Sequence, residues 1–218
     1  CMRVIKIQTT YCKKMERAGT FGYERSCCSY SKNYAFGQSW YVWALHTISR
    51  PLSRPLSRPL KFSNDISSSE EAWLHAINFL ETQNKSMDII LTPQVTSPLR
   101  EDFDFDKAIE KFIDGKYDSL FSANVVQDFF FWKQTKDDKY NSVNYDYKNR
   151  KRRQDIGNQI IENGSFYIFN KNQFKKSKNR LANKIGCYEM DFWKMFEIDN
   201  EKDLRICSAL MNEFILRS

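Results

Sequence analysis

Downstream of residue 66 the apolar positions of the chain fall into two alternating rhythms. Ala72, Trp73, Ala76, Ile77 and Leu80 recur at helical spacing, which places them on one face of a helix. Ser67 and Ser68 each stand three residues before a glutamate, Glu70 and Glu71, the pattern in which a hydroxyl and a carboxylate cap a helix start reciprocally. Ile89 to Leu91 then predicts a short buried strand leading into the turn-rich "TPQVTSPLR". Phe105, Ala108, Ile109, Phe112 and Ile113 make a second amphipathic helix, stopped at Gly115. "YDSLFSANVV", "NGSFYIF" and "CYEMD" read as further strands. A last helix starts near Asn200 and is expected to bury Leu204, Cys207, Leu210, Met211 and Phe214. This alternation argues for an α/β fold with a mostly parallel central sheet, whose ligands sit in the crevice at the carboxyl ends of the strands.

The first 57 residues follow neither rhythm and contain no Gly-rich phosphate loop. The chain is therefore divided into an atypical N-terminal segment, 1–57, expected to be poorly ordered or non-native, and an α/β domain, 58–218. The seam carries "SRPLSRPLSRPL", one tetrapeptide three times over. Its Pro-Leu-Ser-Arg spacing differs from the Pro-x-x-Pro of polyproline ligands, so it reads as a boundary rather than a binding tail.

Composition narrows the class. With 218 residues, 41% of them hydrophobic and 15% aromatic, the chain can bury a substantial core. The net charge of +7, from 34 basic and 27 acidic residues, suits an anionic small molecule as well as a nucleic acid. No apolar run approaches the roughly 20 residues that span a bilayer, and the apolar stretches Trp40 to Leu45 and Phe129 to Trp132 read as core. No secretory signal pattern is present, so a reducing cytoplasm is the expected compartment. None of the six cysteines forms a Cys-x-x-Cys pair, which argues against a zinc or disulfide framework. Cys1 precedes Met2, as expected of a fragment, a processed chain or an imperfect gene model.

Several residues carry possible chemistry. Glu197 and Asp199, alternating along what reads as a strand end, either hold a divalent cation or serve as a solvated side chain and a helix N-cap. The basic run "KNRKRRQD", with Arg153 inside it, reads as a solvated loop, a nucleic-acid patch or an anion-binding element. It lacks interleaved aromatics on which bases would stack. Gln94, Thr96, Ser97 and Arg100 occupy a loop directly after a predicted strand. Tyr167 is either core or pocket lining, and Gly164 permits close backbone approach. His75 has no catalytic partner at the required spacing and receives no role.

Four separated motifs resemble, in order, the acylneuraminate cytidylyltransferase (CMP-sialic acid synthetase) family. They are "RPLKFSNDISSSEEAWLHAI" from Arg58, "QVTSPLR" from Gln94, "RRQDIGNQIIENGSFYIF" from Arg152 and "FEIDNEKDL" from Phe196. The second differs from the family's usual Gln-Pro-Thr-Ser-Pro-Leu-Arg only at Val95, and the fourth has Glu197 where the family has aspartate. The resemblance covers residues 58–218 and implies a Rossmann-like, three-layer nucleotidyltransferase fold. It also implies nucleotidyl transfer, in which the anomeric hydroxyl of a nine-carbon keto acid sugar attacks the α-phosphate of CTP and pyrophosphate leaves. By the same resemblance Arg153 binds the sugar carboxylate, with Lys133 as a second candidate. Gln94, Asn163 and Tyr167 line the sugar site, Ser67 and Ser69 meet cytosine, and Glu197 and Asp199 hold Mg²⁺, with Asp199 and Arg153 the catalytic pair. A homodimer is implied, since in this family residues such as Arg153 reach the neighbouring subunit's site. The family's Ala-Arg-Gly-Gly-Ser-Lys loop has no counterpart in residues 1–57, so the N-terminal strand and phosphate loop are expected to be lost or altered. The alternatives are an impaired homologue that serves as a binding or dimerisation module, and an enzyme for another keto acid such as 3-deoxy-manno-octulosonate.

Overall fold

The computed structural model describes residues 4–10, 41–46, 56–57 and 68–217; in the three short N-terminal pieces the only side chain described is that of Lys6. Nine strands are present among these residues: β1 Val4–Thr10, β2 Tyr41–His46, β3 Leu56–Ser57, β4 Ile89–Pro93, β5 Ser119–Val126, β6 Trp132–Gln134, β7 Tyr140–Ser142, β8 Gln159–Asn170 and β9 Ile185–Met190. Four α-helices accompany them: α1 Ser69–Thr82, α2 Asp104–Asp114, α3 Lys171–Ser177 and α4 Glu201–Met211.

Seven strands form one sheet in the order β3-β2-β1-β4-β8-β5-β9, and β6 and β7 form a separate hairpin. Strands β1, β4, β5 and β9 point the same way, while the long β8 runs against both of its neighbours. The sheet is therefore mixed, and its parallel strands flank one antiparallel insertion.

The N-terminal strand thought to be missing is present. Val4–Thr10 pairs in parallel with β4 and antiparallel with β2. "VIKIQTT" is rich in β-branched residues, which suit a pleated sheet, but seven residues without turn punctuation give little periodicity to read. The residues where a phosphate loop was sought, and the tetrapeptide repeat apart from Leu56–Ser57, lie outside the described residues.

Helices cover both faces. Ile90, Tyr167 and Phe169 pack with Trp73, Ala76, Ile77, Leu80 and Phe174 from α1 and α3. On the opposite face Ile89, Leu91, Phe166 and Ile168 meet Ala108 and Phe112 from α2. Alternation along β4 and β8 thus feeds two cores, giving three layers.

Local chemistry sets the helix limits. Ser68 caps α1: its hydroxyl accepts from Glu71 N–H, and Glu71 accepts from Ser68 N–H. Gly115 ends α2 without a left-handed turn; Lys116 takes the positive φ instead. Glycine stands at 115 and 186 because the Tyr117 ring lies where a Cβ would be, 2.1 Å and 2.6 Å away respectively. In α4 only Cys207 is buried, not the whole apolar face expected, and Phe214 beyond it stacks on Trp193 at 4.9 Å. Phe131 and Trp132 are exposed rather than core, because "FFFWK" enters the β6-β7 hairpin instead of the sheet. Among the described residues no helix is long and apolar enough to cross a membrane.

Candidate active site

The carboxyl ends of β4, β5 and β9 and the amino end of β8 share one edge of the sheet. Among the described residues, the connections leaving β4, β5 and β9 at that edge carry predicted site residues. Gln94 follows β4, Lys133 and Arg153 lie between β5 and β8, and Glu197 and Asp199 follow β9.

The centre of the edge is a wide bulge. Phe121 pairs with Tyr167, but Ala123 pairs with Glu162, so Ser122 alone faces Asn163 to Phe166. Gly164 has φ +67° there, a conformation that favours glycine. A chain of buried polar groups pins the bulge. Ser122 Oγ accepts from Phe166 N–H at 2.9 Å and donates to Asn163 Oδ1 at 2.6 Å. Asn163 Nδ2 donates to Asn124 Oδ1 at 2.8 Å, and Asn124 Nδ2 donates to the carbonyls of Met190 and Asp191. The Asn163 carboxamide is thereby occupied inside the sheet, on both its oxygen and its nitrogen.

The bulge grips the loop after β4. Gln94 N–H donates to Ser165 O at 2.8 Å. The Arg100 guanidinium reaches Gln94 O at 3.1 Å, Ser165 Oγ at 3.1 Å and Ser97 O. Arg100 therefore fixes the loop, and Gln94 remains half-buried at its start. The third connection joins in turn, because Ile198 N–H donates to Thr96 O at 2.7 Å. No strand forms at 196–199; that bond fixes the middle of the passage between the 3-10 turn Phe192–Met195 and α4. Ser97 Oγ is buried without a hydrogen-bond partner, a condition that costs stability unless something else meets it.

Glu197 and Asp199 flank Ile198, and neither has an ion-pair partner among the described residues. Partial burial, followed by the charges of Asp199 and Asp203, holds the Glu197 carboxyl above its ordinary value. The α4 cap is Asn200, not Asp199; its side chain accepts from Lys202 and Asp203 N–H, and Asp203 accepts from Asp199 and Asn200 N–H. Asp199 thus keeps its carboxylate while Asp203 spends its own on the helix start. No cluster of three or more metal-type side chains occurs among the described residues. Two carboxylates fit a Mg²⁺ that keeps water and phosphate ligands, not one caged by protein alone.

Arg153 lies beyond β5 in a 3-10 turn, with Asp128 at 3.8 Å. Both line a cleft of about 460 Å³ together with Val126, Ile156 and Gln159, whose Oε1 is buried and unpartnered. Asp199 does not line this cleft, so within one chain the two predicted catalytic residues are not in one cavity. Lys133 is exposed on β6, Ser69 opens α1 half-buried, and Ser67 lies outside the described residues.

Tyr167 belongs to the α1-side core, and its tip is polar. Its hydroxyl donates to Glu162 at 2.5 Å, and burial, then that contact, pushes its pKa up to about 12. The Arg180 guanidinium lies 4.6 Å from the Tyr167 ring centre and 4.7 Å from that of Trp73, and pairs with Glu70 at 2.6 Å. Nothing in the polar loop "KSKNRLAN" marked Arg180. Lys194 was also missed, although a lysine inside "FWKMF" is itself a signal: so embedded, it must find a buried acid. It finds Asp104 at 2.9 Å and Glu101 at 2.5 Å.

No protein-family model matches the chain. It is 32% identical over 133 residues to N-acylneuraminate cytidylyltransferase from Oncorhynchus mykiss, covering 59% of this chain and 30% of that protein. It is 31% identical over 157 residues to N-acylneuraminate cytidylyltransferase A from Danio rerio, covering 71% and 36% respectively. The chain thus spans about a third of the length of these relatives. Among solved structures it is similar to a CMP:2-keto-3-deoxy-manno-octonic acid synthetase complexed with CTP, with a TM-score of 0.47 and 10% identity over 68% of this chain and 70% of that one. The two fish relatives bear the name of the family that the four motifs resemble, and over the matched stretch this chain is similar to the N-acylneuraminate cytidylyltransferases.

Proposed function

We propose that this chain carries the catalytic fold of a cytidylyltransferase that joins CMP from CTP to a sialic acid or related nonulosonic acid, releasing pyrophosphate. The observation that carries this reading is the direct contact among three of the four motifs at one sheet edge: Gln94 and Arg100 on Ser165, and Ile198 on Thr96. Residues separated by about a hundred positions in sequence are thereby held as one surface. Catalysis of this kind rests on positioning and electrostatics and needs no nucleophilic side chain.

Glu197 and Asp199 are the residues that would hold Mg²⁺, which when bound supplies positive charge to the phosphates. The Arg153 guanidinium offers a forked donor matched to the sugar's carboxylate. Gln94 projects from the fixed loop and hydrogen-bonds the sugar's hydroxyl or acyl groups. The Tyr167 hydroxyl, protonated at neutral pH, acts as a donor and not as a base. The protein works as a homodimer in the cytoplasm, its partner meeting the exposed aromatic surface of the β6-β7 arm.

The test is pyrophosphate release from CTP with Mg²⁺ and a panel of keto acid sugars. Activity with a sialic acid is expected, with Asp199→Ala and Arg153→Ala each lowering kcat/KM by about 100-fold. Release with 3-deoxy-manno-octulosonate alone would move the substrate. No release with any sugar, from a folded protein that binds no CTP, would sink the reading.

A further inference from the structure

Shortly before the acidic pair in the chain stands Lys194, the centre of a buried ionic cluster whose residues have no part in the reading above. Lys194 is 2% exposed and Asp104 is 1% exposed. Lys194 Nζ meets both Asp104 oxygens, at 3.0 and 2.9 Å, and Glu101 Oε2 at 2.5 Å. Asp104 Oδ1 also accepts from the Tyr188 hydroxyl at 3.2 Å, and its Oδ2 accepts from Glu101 N–H at 2.7 Å. The Lys194 ammonium and both Asp104 oxygens are therefore satisfied, as a buried ion pair requires.

Its position in the chain gives it a role. Lys194 sits in the 3-10 turn Phe192–Met195, and Glu197 follows two residues after that turn. The turn is anchored at its start by Asn124, which donates to Asp191 O at 2.6 Å. Lys194 anchors its other end to the first turn of α2. Beyond it, the Ile198–Thr96 hydrogen bond and the bonds from Asp199 and Asn200 N–H to Asp203 hold the backbone before α4 begins. The Glu197–Asp199 passage is thus strung between Lys194 on one side and Asp203 in α4 on the other, with Ile198 pinned to Thr96 between them, and Lys194 is the side-chain anchor on the Glu197 side.

We infer that Lys194, clamped by Asp104 and Glu101, is a positioning residue that sets the separation of the Glu197 and Asp199 carboxylates for a divalent cation. The inference rests on the proposed metal-binding role of that pair. Groups that orient metal ligands from behind typically change affinity by about 10- to 100-fold when removed. The expected signature is a loss of metal affinity in a protein that remains folded.

The experiment uses Mn²⁺ alone as the probe, with free Mn²⁺ followed by electron paramagnetic resonance on the full chain, and circular dichroism as the measure of folding. Lys194→Met is expected to weaken Mn²⁺ binding about tenfold, and Lys194→Arg, which keeps the charge, to recover most of it. If Lys194→Met does not fold, Lys194→Met with Asp104→Leu, which removes both charges together, takes its place under the same expectation. Phe174→Leu, destabilising on the opposite face, should leave Mn²⁺ binding unchanged. A folded Lys194 variant that binds Mn²⁺ like the parent overturns the positioning role while Asp199→Asn still loses binding. If Asp199→Asn also binds like the parent, the metal reading falls and the positioning role with it.

Discussion

At the scale of single residues, Arg180 ties α1 to the loop before β9. It stacks on Trp73 and Tyr167 and pairs with Glu70, with both charged side chains about four-fifths buried. Arg180→Ala would remove two cation–π contacts and strand the Glu70 carboxylate, at a cost of about 2 kcal/mol in chemical denaturation. Glu70 also gives a pH prediction. Burial raises its pKa, but the hydrogen bond and charge of Arg180 outweigh that, and the folded value lies below the ordinary 4.5. A depressed carboxylate stabilises fully above its unfolded pKa and loses that contribution as pH falls through its folded one. Glu81 behaves alike, lowered first by its bond to Lys175 and further by Lys171. Thermal unfolding should therefore show a midpoint that is flat above pH 4.5 and falls below it, and Glu70→Gln should blunt that fall. A Glu70→Gln profile parallel to the parent's would refute the assignment.

At the scale of elements, the bulge in β8 decides the geometry of the site. Gly164 has open space where a Cβ would stand, so crowding is not the obstacle to a side chain; the positive φ of 67° is. Gly164→Ala should cost about 1 kcal/mol and loosen the loop held by Ser165. Asn163→Ala, which leaves the Asn124 side-chain oxygen and the Ser165 N–H without their partner in the sheet, should cost about 3 kcal/mol. The proteins would separate in kinetics as well: if the bulge positions Gln94, Gly164→Ala raises KM for the sugar more than for CTP. Much of this region was legible in sequence, for reasons that also explain the gaps. The Ser68–Glu71 cap and the faces of α1 and α2 follow from local spacing, and local spacing is what a sequence displays. The motif "ENGSF" was visible as a pattern, but its Asn reads as a ligand-binding side chain until the pairing of Phe121 with Tyr167 and Ala123 with Glu162 shows a bulge to be pinned. Glu197 and Asp199 alternate as strand residues would, yet the passage has no neighbour to pair with beyond the Thr96 carbonyl. The Lys194–Asp104 and Arg180–Glu70 pairs join residues 90 and 110 positions apart, a separation across which no periodicity reaches.

At the scale of the whole molecule, the β6-β7 arm poses a problem that one chain does not solve. Its base is stitched by Asn144, which donates to Phe129 O and accepts from Phe131 N–H, and by the Phe130–Tyr145 ring contact at 4.4 Å. Even so, Phe131, Trp132, Tyr140, Val143 and Tyr147 remain exposed. Exposed apolar side chains gathered on a hairpin separate from the main sheet make a candidate interface, and a second copy is the partner proposed for it. The arrangement would also bear on the separation of Arg153 from Asp199, because an arm that crosses to the neighbouring subunit carries Lys133 outward with it. If the proposed dimer forms through this arm, Trp132→Glu with Tyr147→Ser should convert it to monomer by light scattering, without lowering the thermal midpoint of the core. A complementation experiment then asks whether the sites are shared. Asp199→Ala and Arg153→Ala should each be nearly inactive alone. Mixed and allowed to exchange, half of the dimers would be mixed, each with one site intact in both respects, and about a quarter of the parent activity should return. If Arg153 serves its own chain's site, every site in every dimer lacks one residue and mixing restores nothing; recovery would therefore locate the sugar's carboxylate partner on the opposite subunit.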